Sequence, residues 1–184
     1  GSTFHSAGLV GQLRSSVTLT RMMMYGADLY RRLAEETGTD PSWHEVGSLR
    51  LASSPERFEE LRRQAGWAKT FGLPLDLITP AEAQTLFPLM STDGVLGAVY
   101  LPTDGWLDPS GLAQALAAGA RARGASIQTH TRVVAIHADR GRVTGLTLEH
   151  KGDRREIATD VVINAGGMFA AEIGRMVGVT VPLI

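Results

Sequence analysis

Cysteine is absent from this chain of 184 residues. That excludes disulfides, thiolate metal sites and a cysteinyl link to a cofactor within it, and it leaves the redox compartment open. An excess of one charge sign is also missing. Eighteen basic and nineteen acidic residues give a formal net charge of −1, so no global field recruits nucleic acid or an anionic membrane. The basic pairs Arg31-Arg32, Arg62-Arg63 and Arg154-Arg155 are scattered and read as solvated surface. No apolar run approaches the ~18 residues of a membrane span. The first residues hold no basic stretch followed by an apolar one, so no secretory signal is expected. A bacterial cytoplasm is the expected compartment, which no residue fixes. Repeats and low-complexity tracts are absent as well.

What is present is ordinary for a folded domain: 43% hydrophobic and 20% charged residues, enough for one good core or two small ones. Leu19, Met22, Met23, Gly26, Leu29, Tyr30 and Leu33 fall at helical spacing over 16–36, and Gly38 follows as a stop. Met22-Met23-Met24 reads as core packing, since no other soft ligand is near. Val46, Leu49 and Leu51 give a short strand an apolar face. Ser54-Pro55-Glu56 opens a helix with Ser54 as cap; Phe58, Leu61, Ala65, Ala68 and Phe71 mark its buried side. A strand over 75–78 precedes Thr79-Pro80-Ala81-Glu82, the pattern of a capping box. A further strand spans 95–101, and Pro102-Thr103-Asp104-Gly105-Trp106 is a turn. These strands suit an antiparallel sheet.

From Asp108 the pattern changes. Asp108 caps and Pro109 starts a helix lined by Leu112, Leu116 and Ala120, which Gly124 ends. Strand-like stretches at 126–129 and 132–138, a hairpin turn at Asp139-Arg140-Gly141-Arg142, an alternating stretch at 143–148 and a third strand at 156–157 make a meander. The apolar run 161–164 reads as a central parallel strand. It leads into Gly166-Gly167 and a helix over 169–177. Leu19, Leu29, Leu33, Leu112, Leu116, Val133, Val161 and Ile163 are expected to be largely buried, with some exposure near Met22, Met23 and Gly166.

Two segments carry chemistry. Gly1-Ser2-Thr3-Phe4-His5-Ser6-Ala7-Gly8-Leu9 is a small-residue loop with one histidine. Val161-Val162-Ile163-Asn164-Ala165-Gly166-Gly167 is a strand ending in two glycines before a helix. A glycine-rich strand-to-helix turn lets backbone approach a ligand closely. A histidine in a loop of small residues can reach a cofactor ring. Together they suggest a dinucleotide enzyme.

With Gly47-Ser48-Leu49-Arg50-Leu51-Ala52 and Asp104-Gly105-Trp106-Leu107-Asp108-Pro109 added, the chain resembles the FAD-dependent dehydrogenases of N-methylated glycines. These are the dimethylglycine and sarcosine dehydrogenases, within the D-amino-acid-oxidase class. The resemblance implies an α/β fold of mixed α+β character, part of a two-domain FAD-dependent oxidoreductase. Residues 1–40 would supply an FAD-domain loop and long helix. Residues 41–107 would form a substrate-side mixed region with an antiparallel sheet, and 108–184 the second half of the FAD-binding domain. It implies FAD as cofactor, covalently held through His5, with Ser2, Thr3, Ala7, Gly8 and Leu9 around it. Val133 and Val134 match the strand whose backbone meets the adenine in related flavoproteins, and Ala165, Gly166 and Gly167 match the second glycine turn. Phe4 stands where the family usually has tryptophan. The implied reaction oxidises the C–N bond of a small amine substrate to an imine, and a downstream domain could use tetrahydrofolate.

No Gly-x-Gly-x-x-Gly turn leading into a helix and an acidic residue is present. The chain therefore reads as an interior fragment that needs the remainder of its parent chain, or a partner carrying that unit. Outside the resemblance, His5 reads as an ordinary loop histidine, Gly166-Gly167 as a tight turn, and Val133 and Val134 as core. His44, His130, His137 and His150 show no metal spacing. Asp104 and Asp108 read as turn and cap, and no catalytic residue is assigned. An NAD(P)-dependent enzyme with a related two-part domain, or a non-catalytic regulatory relative that binds a partner, are the alternatives.

Overall fold

A computed structural model describes residues 2–183. Gly1, the first residue of the loop motif, and Ile184 lie outside the described residues. The chain forms two compact units, one ending at Ala125 and one beginning at Ser126.

The first unit opens with a 3₁₀ turn, Thr3–His5, and a short strand β1, Leu9–Val10. Helix α1, Val17–Thr37, follows, with the Ser16 side chain accepting from the Leu19 amide and Gly38 closing it in a left-handed conformation. Strand β2 is Ser48–Ala52 and helix α2 is Pro55–Lys69, whose Ser54 cap and first-turn proline match the sequence pattern. Strand β3, Asp76–Ile78, helix α3, Pro80–Leu86, strand β4, Gly97–Leu101, and strand β5, Gly105–Trp106, lead to helix α4, Pro109–Ala122. β2 and β3 both pair antiparallel with the central β4. Helix α2 lays Leu61, Ala65 and Ala68 on this sheet, against Ala52, Val99 and Leu101, with Leu13, Leu73 and Leu75 completing the core. Phe58 and Phe71 are only partly buried at its margin. Helices α1 and α4 pack together where Gly119 leaves room for the Thr37 methyl.

The capping box before α3 is complete. The Thr79 hydroxyl accepts from the Glu82 amide, and the Thr79 amide and hydroxyl both donate to the Glu82 carboxylate, at 2.7 and 2.8 Å. Those two donors hold the Glu82 carboxyl below its ordinary value, the backbone amide contributing most. A carboxyl lowered on folding stabilises the fold above its unfolded pKa, and that contribution is lost as pH falls through the lowered folded value. Thr79→Ala should cost about 1 kcal/mol at neutral pH by urea unfolding. The NMR titration midpoint of Glu82 should lie below that of a free glutamate and rise in the Thr79→Ala protein.

The second unit is the expected meander. β6, Thr131–Asp139, β7, Arg142–His150, and β8, Asp153–Ala158, pair in sequence order, all antiparallel. A 3₁₀ turn, Gly167–Phe169, then leads into α5, Ala170–Arg175, shorter than the helix expected over 169–177.

Four expectations are corrected. The run 161–164 joins no sheet among the described residues, and Val161 and Ile163 are 68% and 86% exposed. A ladder strand exists only with a hydrogen-bonding neighbour, and this run has none here. Residues 126–129 are likewise irregular. The turn over 102–106 contains β5, which pairs with β1. Of the eight residues expected inside, Leu33 alone is buried; Leu29, Leu112 and Val133 are half-buried, and Leu19, Leu116, Val161 and Ile163 are exposed. Their helix and strand faces are apolar, but no second layer covers them among the described residues. The exposure expected at Met22 is present.

Candidate functional site

The loop before β1 is held by its backbone. The His5 amide donates to Ser2 O and the Ser6 amide to Thr3 O, both at 3.1 Å, and the Leu107 amide donates to Gly8 O at 3.0 Å. Gly8 has φ +71, and a Cβ there would lie 2.2 Å from Leu107 O, so only glycine lets the loop close on the segment before α4. Every residue from Ser2 to Ala7 is exposed. The His5 ring lies against Phe4, with centroids 3.9 Å apart and planes tilted by 35°. Beside the loop, Thr3, Ser6, Gly8, Leu9, Leu112 and Leu116 help to line an apolar trough of about 310 Å³.

β1 is also a wall of a second cavity, of about 280 Å³, which reaches β2 and β5. At its base lies Asp104, fully buried. The Gln12 amide and Gln12 Nε2 donate to Asp104 Oδ1 at 2.9 and 3.1 Å, and Ser48 Oγ donates to Oδ2 at 2.7 Å. The Gly47 amide donates to the Asp104 carbonyl at 2.8 Å. One carboxylate thus ties the end of β1, the start of β2 and the β4–β5 turn together. Arg14 and Arg50 line the same cavity. At its rim the His44 ring stacks on Trp106, 4.1 Å apart and 20° from parallel.

In the second unit, Val133 and Val134 are half-buried in β6, where the register slips between Val133 and Ala135. Ala165 and Gly167 are exposed and Gly166 is half-buried. The Gly166 amide donates to Asn164 Oδ1 at 3.1 Å. A Cβ on Gly166 would lie 2.5 Å from Ile173 Cδ1, the movable end of a side chain, and 3.3 Å from the Ala170 amide nitrogen, so the turn is close-packed there, whereas around Gly167 nothing lies within 4 Å. Ser2 to Leu9 therefore come together in the first unit, and Val133, Val134 and 165–167 lie in the second. Asp104 is an anchor as well as a turn residue, while Asp108 is the cap expected, accepting from the Ser110 and Gly111 amides. Glu45, next to His44, is paired with Arg31. The described residues contain no cluster of His, Cys, Asp or Glu fit to hold a metal, and no helix long and apolar enough to cross a membrane.

An exposed imidazole, a flat apolar neighbour, small side chains and an adjoining apolar trough suit a planar redox ring. The whole chain, residues 1–184, matches the family described as DAO, FAD dependent oxidoreductase. The protein belongs to that family. Human mitochondrial sarcosine dehydrogenase is 38% identical over 190 residues, covering 100% of this chain and 20% of that protein. Human mitochondrial dimethylglycine dehydrogenase is 37% identical over 187 residues, covering 100% of this chain and 21% of the relative. Among solved structures, L-proline dehydrogenase from P. horikoshii superposes with a TM-score of 0.89 at 30% identity, covering 100% of this chain and 48% of that one. The chain thus spans about a fifth of the two curated relatives and about half of the solved one. The family is flavin-dependent, which sets aside the nicotinamide alternative.

Of the cavity residues, Gln12 and Arg14 were not singled out by sequence reading, and Ser48 and Arg50 entered only within the motif Gly47-Ser48-Leu49-Arg50-Leu51-Ala52, with no role assigned. Gln12 and Asp104 are separated by 92 positions, so no local pattern links them.

Proposed function

We propose that this chain is a segment of an FAD-dependent enzyme that oxidises the C–N bond of an N-methylated glycine, of the sarcosine or dimethylglycine type, to an imine. One observation carries the reading: an exposed His5–Phe4 ring pair at the edge of an apolar trough, on a loop fixed by Gly8. Family membership and the two curated relatives support it. When bound, the flavin supplies a two-electron acceptor for the carbon beside the amine nitrogen. The chain's residues do the rest. His5 offers an imidazole nitrogen as the attachment point. Phe4, Leu9 and Leu116 give the ring an apolar bed and exclude water from it. Val133 and Val134, with 165–167, would meet the nucleotide end through backbone. A neutral amine is the form that gives up a hydride, so an apolar surround that disfavours the ammonium favours reaction.

The test is anaerobic mixing of the flavin-loaded enzyme that contains this chain with sarcosine or dimethylglycine. Loss of the flavin's visible absorbance is the expected result, and an unchanged spectrum with every N-methylated glycine overturns the reading. The 184-residue chain alone is expected to leave both amines unoxidised.

A further inference from the structure

The tripeptide Thr-Asp-Gly occurs twice in this chain, as Thr92-Asp93-Gly94 and as Thr103-Asp104-Gly105. The two copies sit in opposite surroundings. Asp104 is fully buried, and its carboxylate accepts from Gln12 N, Gln12 Nε2 and Ser48 Oγ. Gly105 lies in β5 opposite Val10, and a Cβ on it would lie 2.1 Å from His44 O, so the backbone there has no room to turn. Asp93 and Gly94 are both exposed. They are the central residues of a turn closed by the Val95 amide, which donates to Thr92 O at 3.0 Å. The Asp93 amide donates to Ser91 Oγ at 3.2 Å. The Asp93 carboxylate and the Gly94 amide have no partner among the described residues. Gly94 has φ +71, and nothing lies within 4 Å of the place its Cβ would take.

We propose that Asp93-Gly94 is a site of spontaneous isoaspartate formation and that the fold withholds the same chemistry from Asp104-Gly105. The Gly94 amide nitrogen, giving up its proton, attacks Asp93 Cγ. A C–N bond forms, the C–O bond to one carboxyl oxygen breaks, and one water leaves, closing a five-membered succinimide. One water then opens the ring. Entry at the carbonyl next to Cα leaves the main chain running through the former side-chain carbonyl, with one extra methylene in the backbone. Nothing is oxidised or reduced, and the net mass is unchanged. The step needs a free carboxyl, a free amide and a backbone able to rotate between them. Glycine leaves the nitrogen unshielded, and an exposed turn with no packed side chain over it is the kind of segment that opens most readily. At Asp104 all three conditions fail: the carboxyl is engaged, the glycine is enclosed, and opening the turn would part β1 from β5. The change at Asp93 has a place to act. The Leu96 amide donates to Ala52 O at 2.8 Å, and β4, the central strand of its sheet, begins at Gly97, so the added methylene lengthens the chain just before that strand is tied in. The proposal is independent of the reaction proposed above.

The test ages the flavin-loaded enzyme that contains this chain at neutral pH and body temperature, one sample folded and one in concentrated urea. Chymotrypsin, which cuts after Tyr100 and Leu101, separates the two sites. Because the isomer has the same mass, electron-transfer fragmentation, which breaks the backbone at the extra methylene, identifies it. In the folded enzyme isoaspartate should be tenfold or more abundant at Asp93 than at Asp104. In urea, where neither tripeptide has a fold around it, the two should accumulate within twofold of each other. Asp93→Glu keeps the carboxylate but would have to close a six-membered ring; it should lose the signal at that position and leave Asp104 as in the parent. The proposal is overturned if Asp93 carries no isoaspartate in the folded enzyme, if Asp104 matches it there, or if Asp104 stays unmodified in urea, since its protection would then lie in the sequence and not in the fold.

Discussion

His5→Ala in the flavin-loaded enzyme is expected to abolish covalent flavin entirely. Intact-mass analysis of the unmodified enzyme should show the added mass of one flavin, and the variant should show none and release its flavin on denaturation. The chemistry selects His5 because a neutral imidazole nitrogen is a competent nucleophile and the chain has no cysteine. In the structure the His5 ring is exposed while the loop is fixed by other atoms. The bonds that hold the loop run from the His5, Ser6 and Leu107 amides, none of them from the imidazole. The variant should therefore fold as the parent does, with an unchanged far-UV spectrum. Absence of the flavin mass in the parent, or its retention in the variant, would remove His5 as the attachment point.

Asp104→Ala is expected to be the most destabilising substitution around the β1–β5 cavity. It leaves Gln12 N and Ser48 Oγ without their acceptor, while Gln12 Nε2 loses one of two acceptors and keeps Thr103 Oγ1 at 2.8 Å; Gln12 and Asp104 are both buried. Orphaned buried donors cost about 1–3 kcal/mol each where water cannot reach them, so a loss of about 3 kcal/mol in urea unfolding is expected. Asp104→Asn keeps one oxygen acceptor and should lose less. Asp108→Ala offers the contrast. Its carboxylate caps α4 from an exposed position, and caps of this kind are worth about 1 kcal/mol. Equal losses at the two positions would mean that Asp104 is merely a turn residue.

Those two aspartates show how far the sequence could be read. Both precede turns or helices, and local chemistry assigns each to one. Asp108 is fully described by its next three residues. Asp104 draws its role from Gln12 and Ser48, whose distance along the chain no local pattern spans. The same division holds for the fold. The start of α2 and the box at Thr79 and Glu82 were legible because cap and proline are local signals, whereas the end of α2 at Lys69 was not, and Phe71, read as part of its buried side, lies beyond it. The β6–β7 hairpin was legible too, from its Asp139-Arg140-Gly141-Arg142 turn. The run 161–164 was misread because apolar residues in sequence indicate a wish for a partner strand and cannot supply one. Leu19 and Leu116 mark apolar faces correctly, yet a face becomes a core only when a second layer meets it. Of the candidate site, the His5 loop was legible through its unusual density of small residues, whereas the shared cavity of Arg14 and Arg50 was not, because the two line it from segments that no local pattern links.

Gly8 also sets how this region can drift. The loop's position depends on one contact that any side chain would push apart, while Phe4, Ser6 and Ala7 face outward with room around them. Sequence change at those three positions can reshape the surface offered to a ring without shifting β1 or the cavity behind it. Change at Gly8 would move both together. The loop is thus free to diversify among descendants of one ancestor in what it touches, and constrained in where it stands.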